Sequence, residues 1–257
     1  MLNRIYRLFR LNPYNPDDRN AWYLIVEMFW ATMLASAATF NAAFAIRLGA
    51  SNTTVSLLTS LPAMLAMLVA IPAGQFLNSR RHRKPWLLWS LGIYRAGFLL
   101  VALAPLVNLF NLPSGTLVVL TIVFITIPAH FFNVGFIPML TEVIPEKKRA
   151  GVFTARNVIY NATFSILVFL LGLWLDRVIF PLNYQLMYLF GVACSFLSIY
   201  YLIKIQVPES PVIPRAQAIA QAPGKKGRLF FANAFHDHPS FMRITANTML
   251  HSIGLWA

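Results

Sequence analysis

Acidic side chains are scarce, with only 8 Asp and Glu in 257 residues, and charged residues of both signs make up just 11% of the chain. A soluble domain carries about 25% charged residues. So little polar surface cannot solvate a body of this size, which excludes a soluble enzyme. Cysteine is scarcer still: Cys194 stands alone inside an apolar run, which excludes an internal disulfide and a cysteine metal cluster. The sequence also lacks the His-Glu-x-x-His of zinc hydrolases, the Gly-x-Ser-x-Gly nucleophile turn and the phosphate-cradling Gly-x-x-x-x-Gly-Lys. His236-Asp237-His238 offers two histidines with no helix to fix them and no further ligand, too little for a metal site. Ser165 or Ser195 with His130 is no more than a nominal serine–histidine pair for an intramembrane protease. The chain reads as a non-enzyme with no metal and no cofactor.

What the sequence has instead is apolarity: 58% of its residues are hydrophobic. A bilayer core about 30 Å thick needs roughly 20 apolar residues in a helix, and stretches at 21–46, 53–77, 86–108, 116–139, 152–175 and 185–206 meet that requirement. These predict an all-α integral membrane protein with six spans, whose first partner is the lipid bilayer. The first span is not a cleaved signal peptide, because it follows a head bearing Arg4, Arg7, Arg10, Asp17, Asp18 and Arg19 and runs past signal length.

The chain carries 21 Lys and Arg, and loops on the cytoplasmic side of a membrane collect such residues. Eighteen fall in the head, in Arg80–Lys84, in Lys147–Arg149 with Arg156, and in the tract from Lys204 to Arg243. The opposite loops hold Arg47 and Arg177, and Arg95 lies within the third span. This places the N-terminal segment 1–20 and the stretch after span six in the cytoplasm of a plasma or inner membrane protein. Nucleic-acid binding loses its support, because topology accounts for the basic excess.

Residues 207–240, with Pro208, Pro211, Pro214, Pro223 and a Gly-Lys-Lys-Gly-Arg run, read as a linker. Apolarity resumes over 241–257 without the polar flank that would end a span, as expected for a truncated seventh helix.

Six helices, a basic linker and the start of another helix resemble the first half of a major facilitator superfamily transporter. After span two, Gly74-Gln75-Phe76-Leu77-Asn78 followed by Arg80, Arg81, His82, Arg83 and Lys84 is similar to the family's G-x-x-x-D-R-x-G-R-R, with Asn78 in place of the acid. After span four, Glu142-Val143-Ile144-Pro145 and Arg149-Ala150-Gly151 are similar to the family's E/D-x-x-P-x-x-x-R-G. His130-x-x-Asn133-x-Gly135 lies where the family has R-x-x-Q-G. Pro208-Glu209-Ser210-Pro211 resembles a sugar-porter motif without its arginine, and the subfamily stays open. The resemblance implies a bundle of two inverted three-helix repeats and a missing C-terminal half. It also implies carriage of a small solute by alternating access, with a proton or cation as a coupling partner. A non-transporting six-span scaffold, or a half-size subunit that dimerises, is the alternative.

Charged groups inside a bilayer need a partner, a cavity or a route to the interface. By helical rise Glu27 lies about 8 Å, Arg95 about 14 Å and His130 about 12 Å from the cytoplasmic ends of their spans. On one reading the three line or brace a central cavity, with Glu27 or His130 exchanging a coupling proton; Glu27→Gln would then abolish uptake while leaving expression intact. On the other, Glu27 snorkels or pairs with Arg95 for structure alone. Asn41, Asn133, Asn157, Tyr160 and Asn161 are candidates for a polar solute, Asn157 and Asn161 sharing a face at four-residue spacing; interhelical hydrogen bonding is their structural alternative. Gly74, Asn78, Arg81, Arg83, Glu142 and Arg149 are candidates for the gating loops. Ala31, Ala35, Ala38, Ala42 and Ala45 form a small-residue stripe expected to pack against another helix.

Overall fold

A computed structural model describes residues 14–106 and 113–207. The expected linker and seventh helix lie outside the described residues. The elements are α1 (Pro16–Ala38), α2 (Asn41–Arg47), α3 (Asn52–Asn78), α4 (Lys84–Leu103), a 3-10 turn (Ala104–Leu106), α5 (Ser114–Val143), α6 (Glu146–Arg177) and α7 (Leu182–Lys204). In lipid a backbone must satisfy its own hydrogen bonds, so each apolar run becomes a helix. Six spans result, at Asp18–Arg47, Asn52–Asn78, Lys84–Leu106, Ser114–Val143, Glu146–Arg177 and Leu182–Lys204. The described part is an all-helical membrane bundle.

Span 1 is broken at Thr39–Phe40 into α1 and α2. Pro145 starts span 5 at Glu146, six residues earlier than apolarity alone suggests. Lys147, Lys148 and Arg149 therefore belong to its first turn rather than to a loop.

Span 1 packs on spans 5 and 6, span 4 packs on spans 2 and 3, and spans 3 and 6 meet in the middle. Exchanging 1 with 4, 2 with 5 and 3 with 6 leaves these pairings unchanged. Because each unit has three spans, the second unit enters from the opposite end, which makes the two repeats inverted. Glycines in corresponding spans mark the two close crossings. A side chain on Gly97 of span 3 would overlap Ile125 of span 4, and one on Gly191 of span 6 would sit 3.2 Å from the backbone of Leu34 in span 1.

In this part of span 1 Thr32, Met33, Leu34, Ser36 and Ala37 are buried, with Leu34 and Ala37 against Gly191 of span 6. The expected alanine stripe packs only in part: Ala45 is buried in the core and Ala38 packs against it, Ala31 and Ala35 are half-buried, and Ala42 is exposed. Thr32 and Ser36 bond back to the carbonyls of Met28 and Thr32 at 2.6 and 2.9 Å, which lets polar residues sit in the packed face.

One end of the bundle, where Arg80–Lys84 lie, is stapled by polar bonds between spans. Lys148 Nζ meets Asp18 Oδ1 at 2.7 Å, and Arg83 Nη1 meets Glu142 Oε1 at 3.2 Å. Lys84 Nζ donates to the carbonyls of Ile203 and Ile205 at 2.5 and 2.6 Å, capping the C-terminal end of α7. Asn20 and the backbone of Gln206 bond reciprocally at 3.1 and 3.0 Å. At the opposite end Gly115 N donates to Leu48 O at 3.1 Å, and Asn183 Nδ2 donates to Leu175 O at 2.9 Å.

Candidate functional site

Three ionisable groups share the bundle interior. Glu27, Arg95 and Arg156 are 3%, 4% and 7% exposed, so all three are withdrawn from bulk solvent. Glu27 Oε2 receives Arg156 Nη1 at 2.9 Å, and Glu27 Oε1 lies 3.7 Å from Arg95 Nη2. Ser198 Oγ donates to Glu27 Oε1 at 2.7 Å. Arg95 Nη1 also donates to Ser195 O, and Arg156 Nη1 to Leu24 O. Arg156 Nη2 reaches Met28 Sδ at 3.4 Å, and its guanidinium lies 5.4 Å from the Phe136 ring centroid. One carboxylate and two guanidiniums thus join spans 1, 3, 5 and 6, with Phe136 of span 4 as a lid. The cluster ties both inverted repeats into one body.

Arg156 is the residue that sequence reasoning missed. Counted with the basic loop and the first residues of span five, it is ten residues into α6, or about 15 Å by helical rise. The signal was present in Pro145-Glu146, a proline followed by an acid in a first helical turn. Starting the helix there brings Arg156 to membrane depth and removes it from the loop tally. Ser198, also missed, looks like any serine in an apolar helix until span 6 is laid against span 1.

The expected pairing of Glu27 with Arg95 is present, but both Glu27 oxygens are occupied. With two guanidiniums depending on it, the expected effect of Glu27→Gln moves from uptake toward stability. His130 does not join the cluster. Its Nε2 is buried and has no hydrogen-bond partner among the described residues. Asn41 Oδ1 accepts from Tyr188 Oη at 2.8 Å, holding the break in span 1 against span 6.

The other amides face outward. Asn133, Asn157 and Asn161 are exposed, as is Ser165. Asn161 Nδ2 bonds to Asn157 O and Ser165 Oγ to Asn161 O, each at 2.8 Å, so these groups satisfy one bond within α6 and leave the rest of their capacity open. Tyr160 stacks on Phe164 at 5.4 Å beside them. On span 4, Asn133 is on roughly the opposite face from Phe131, since two residues turn a helix by about 200°.

Among the loop candidates, the two motif-bearing loops meet in the Arg83–Glu142 pair. Arg149 Nη2 and Nε donate to Thr141 O and Ile144 O at 2.6 and 3.1 Å, closing the C-terminal end of α5. Gly74 has ordinary packing room, with Val134 Cγ1 3.9 Å from a built side-chain carbon. Asn78 is the last residue of α3, and Arg81 is exposed in the following loop. Among the described residues no group of three or more His, Cys, Asp or Glu could hold a metal ion; His236–His238 lies outside them.

Six inverted spans with an internal charge brace and an outward polar face define the class of polytopic membrane transporters. The family model described as Major Facilitator Superfamily matches residues 24–256. The chain belongs to the major facilitator superfamily, and is a membrane transporter protein of that family. No curated protein matches the chain.

Proposed function

We propose that the chain forms the N-terminal six-span half of a secondary transporter that carries a small solute by alternating access. In this reading the N-terminus and residues 207–240 are cytoplasmic, and a second six-span half closes the solute cavity. The observation that carries it is the exposure of three amides in apolar spans, Asn133 on span 4 and Asn157 with Asn161 on span 5. Amides directed at acyl chains lose their hydrogen bonds to water, so such positions belong against a hydrated cavity or a second protein layer. Spans 2 and 5 support the same reading, since almost none of their apolar stretch is buried within the six-span bundle. The charge cluster makes the half move as one rigid body. His130, whose Nε2 is unengaged, is the group assigned to exchange a coupling proton, because both Glu27 oxygens are taken.

Water access tests this directly. In the intact protein with Cys194→Ser, the Asn157→Cys and Asn161→Cys variants should react with a membrane-impermeant thiosulfonate added to either side of sealed vesicles. Leu197→Cys, 44% exposed on span 6, faces lipid and should stay unlabelled. A six-span scaffold predicts no labelling of Asn157→Cys or Asn161→Cys.

A further inference from the structure

An open groove of about 790 Å³ is lined by spans 2, 3 and 4 on the outside of the bundle. Its walls include Phe76, Trp86, Trp89, Ile93, Ile127 and Phe131. Its polar lining residue, Ser90, has its hydroxyl bonded to Leu87 O at 2.9 Å. Apart from the indole N–H groups of Trp86 and Trp89, the walls are hydrocarbon and aromatic ring. A long hydrocarbon chain is the ligand class that its walls suit.

The mouth of the groove carries charge. The Arg80 guanidinium lies 4.7 Å from the Phe76 ring centroid and 5.2 Å from that of Trp86, both of which are groove walls. Among the described residues Arg80 is paired with no carboxylate. Its neighbours are committed elsewhere, Arg83 to Glu142 and Lys84 to the carbonyls at the end of span 6. Trp86 and Trp89, 43% and 72% exposed, stand where aromatic residues anchor at a membrane interface.

The inverted repeat supplies a comparison. A second apolar groove of about 710 Å³ lies between spans 5 and 6 at the opposite end, with Leu170, Leu171, Trp174, Leu186 and Phe190 among its walls. Close to it in sequence, Arg177 is preceded by Asp176, and Arg47, the other cation at that end, lies over Tyr184 rather than over a wall of this groove. Two grooves of similar size and lining differ in the cation at the mouth.

We propose that the groove between spans 2, 3 and 4 binds an anionic glycerophospholipid, with an acyl chain along Trp89, Ile93 and Ile127 and the headgroup phosphate on Arg80. A guanidinium held over two rings keeps its charge at the level where lipid phosphates lie, and basic clusters beside spans select anionic headgroups. The inference rests on the membrane disposition of the six spans and is independent of the transport reading.

Native mass spectrometry of the full-length protein in detergent, titrated with phosphatidylglycerol or phosphatidylcholine, tests it. One phosphatidylglycerol should remain bound in preference to phosphatidylcholine. Arg80→Gln should weaken that binding about fivefold, the amount expected for one basic residue at an anionic surface. Ile93→Trp, which fills the groove from an exposed position, should weaken both lipids. Ala193→Trp in the second groove should leave the preference intact. Equal binding of the two lipids by the wild type would overturn the proposal, as would unchanged phosphatidylglycerol binding by Arg80→Gln or by Ile93→Trp.

Discussion

Replacing Glu27 by glutamine is expected to cost the protein about 3–5 kcal/mol of stability, the usual effect of removing one partner from a buried ion cluster. Arg156 loses its 2.9 Å carboxylate contact and Arg95 its 3.7 Å one, and neither can reach water from its buried position. Neutralising the acid leaves two guanidiniums facing each other across spans 3 and 5 in a low-dielectric interior, where like charges repel strongly. The variant should lose its monodisperse gel-filtration peak in detergent at a clearly lower temperature than the wild type. Removing all three charges together, as Glu27→Leu with Arg95→Leu and Arg156→Leu, should be milder than Glu27→Gln, because no uncompensated charge is left inside. A Glu27→Gln protein that melts with the wild type would show that the cluster does not hold spans 1, 3, 5 and 6 together.

Gly115→Ala should be the most damaging single-methyl addition in the described bundle. A side-chain carbon on Gly115 would overlap the carbonyl oxygen of Ala45 and lie 2.6 Å from Ala50 N. Both obstacles are backbone, held by the bond from Ala50 N to Ala45 O at 2.9 Å and that from Gly115 N to Leu48 O at 3.1 Å. A flexible side chain would swing aside, whereas here the junction of spans 1 and 4 must open. The expected loss is about 1–3 kcal/mol, the range for overpacking a tight site. Gly92→Ala and Gly172→Ala meet nothing within 4 Å and should match or exceed the wild type, since alanine favours helix. Equal melting temperatures for Gly115→Ala and Gly92→Ala would mean that the junction is loose.

Much of the fold was legible in the residues because the bilayer permits so few structures. An apolar run of the right length must become a helix, and basic residues mark one set of loops. Six spans and the likeness of the Gly74 and Glu142 loops to a transporter family follow from the chain read in one dimension. Depth along each helix was legible too, which is why Glu27 and Arg95 could be matched before any packing was seen. Arg156 was missed through a helix start placed six residues late: without the turn begun at Pro145, it lies only four residues into its span and looks like one more cation at the interface.

The tertiary structure alone decided which faces meet. Arg156 and Glu27 are 129 residues apart in the chain, and no spacing rule connects residues on spans 1 and 5. The alanine stripe of span 1 has the spacing of a packing face, yet it packs only in part, and Leu34 and Ala37 lie against Gly191 of span 6. Likewise Asn41 and Asn157 are the same residue type in similar apolar surroundings, but one is bonded to Tyr188 and the other points outward. Hydropathy and charge act on each helix separately and so determined what crosses the membrane. Rotation of each helix about its axis depends on how six surfaces fit at once, and that fit decided which polar groups brace the interior and which were left facing out.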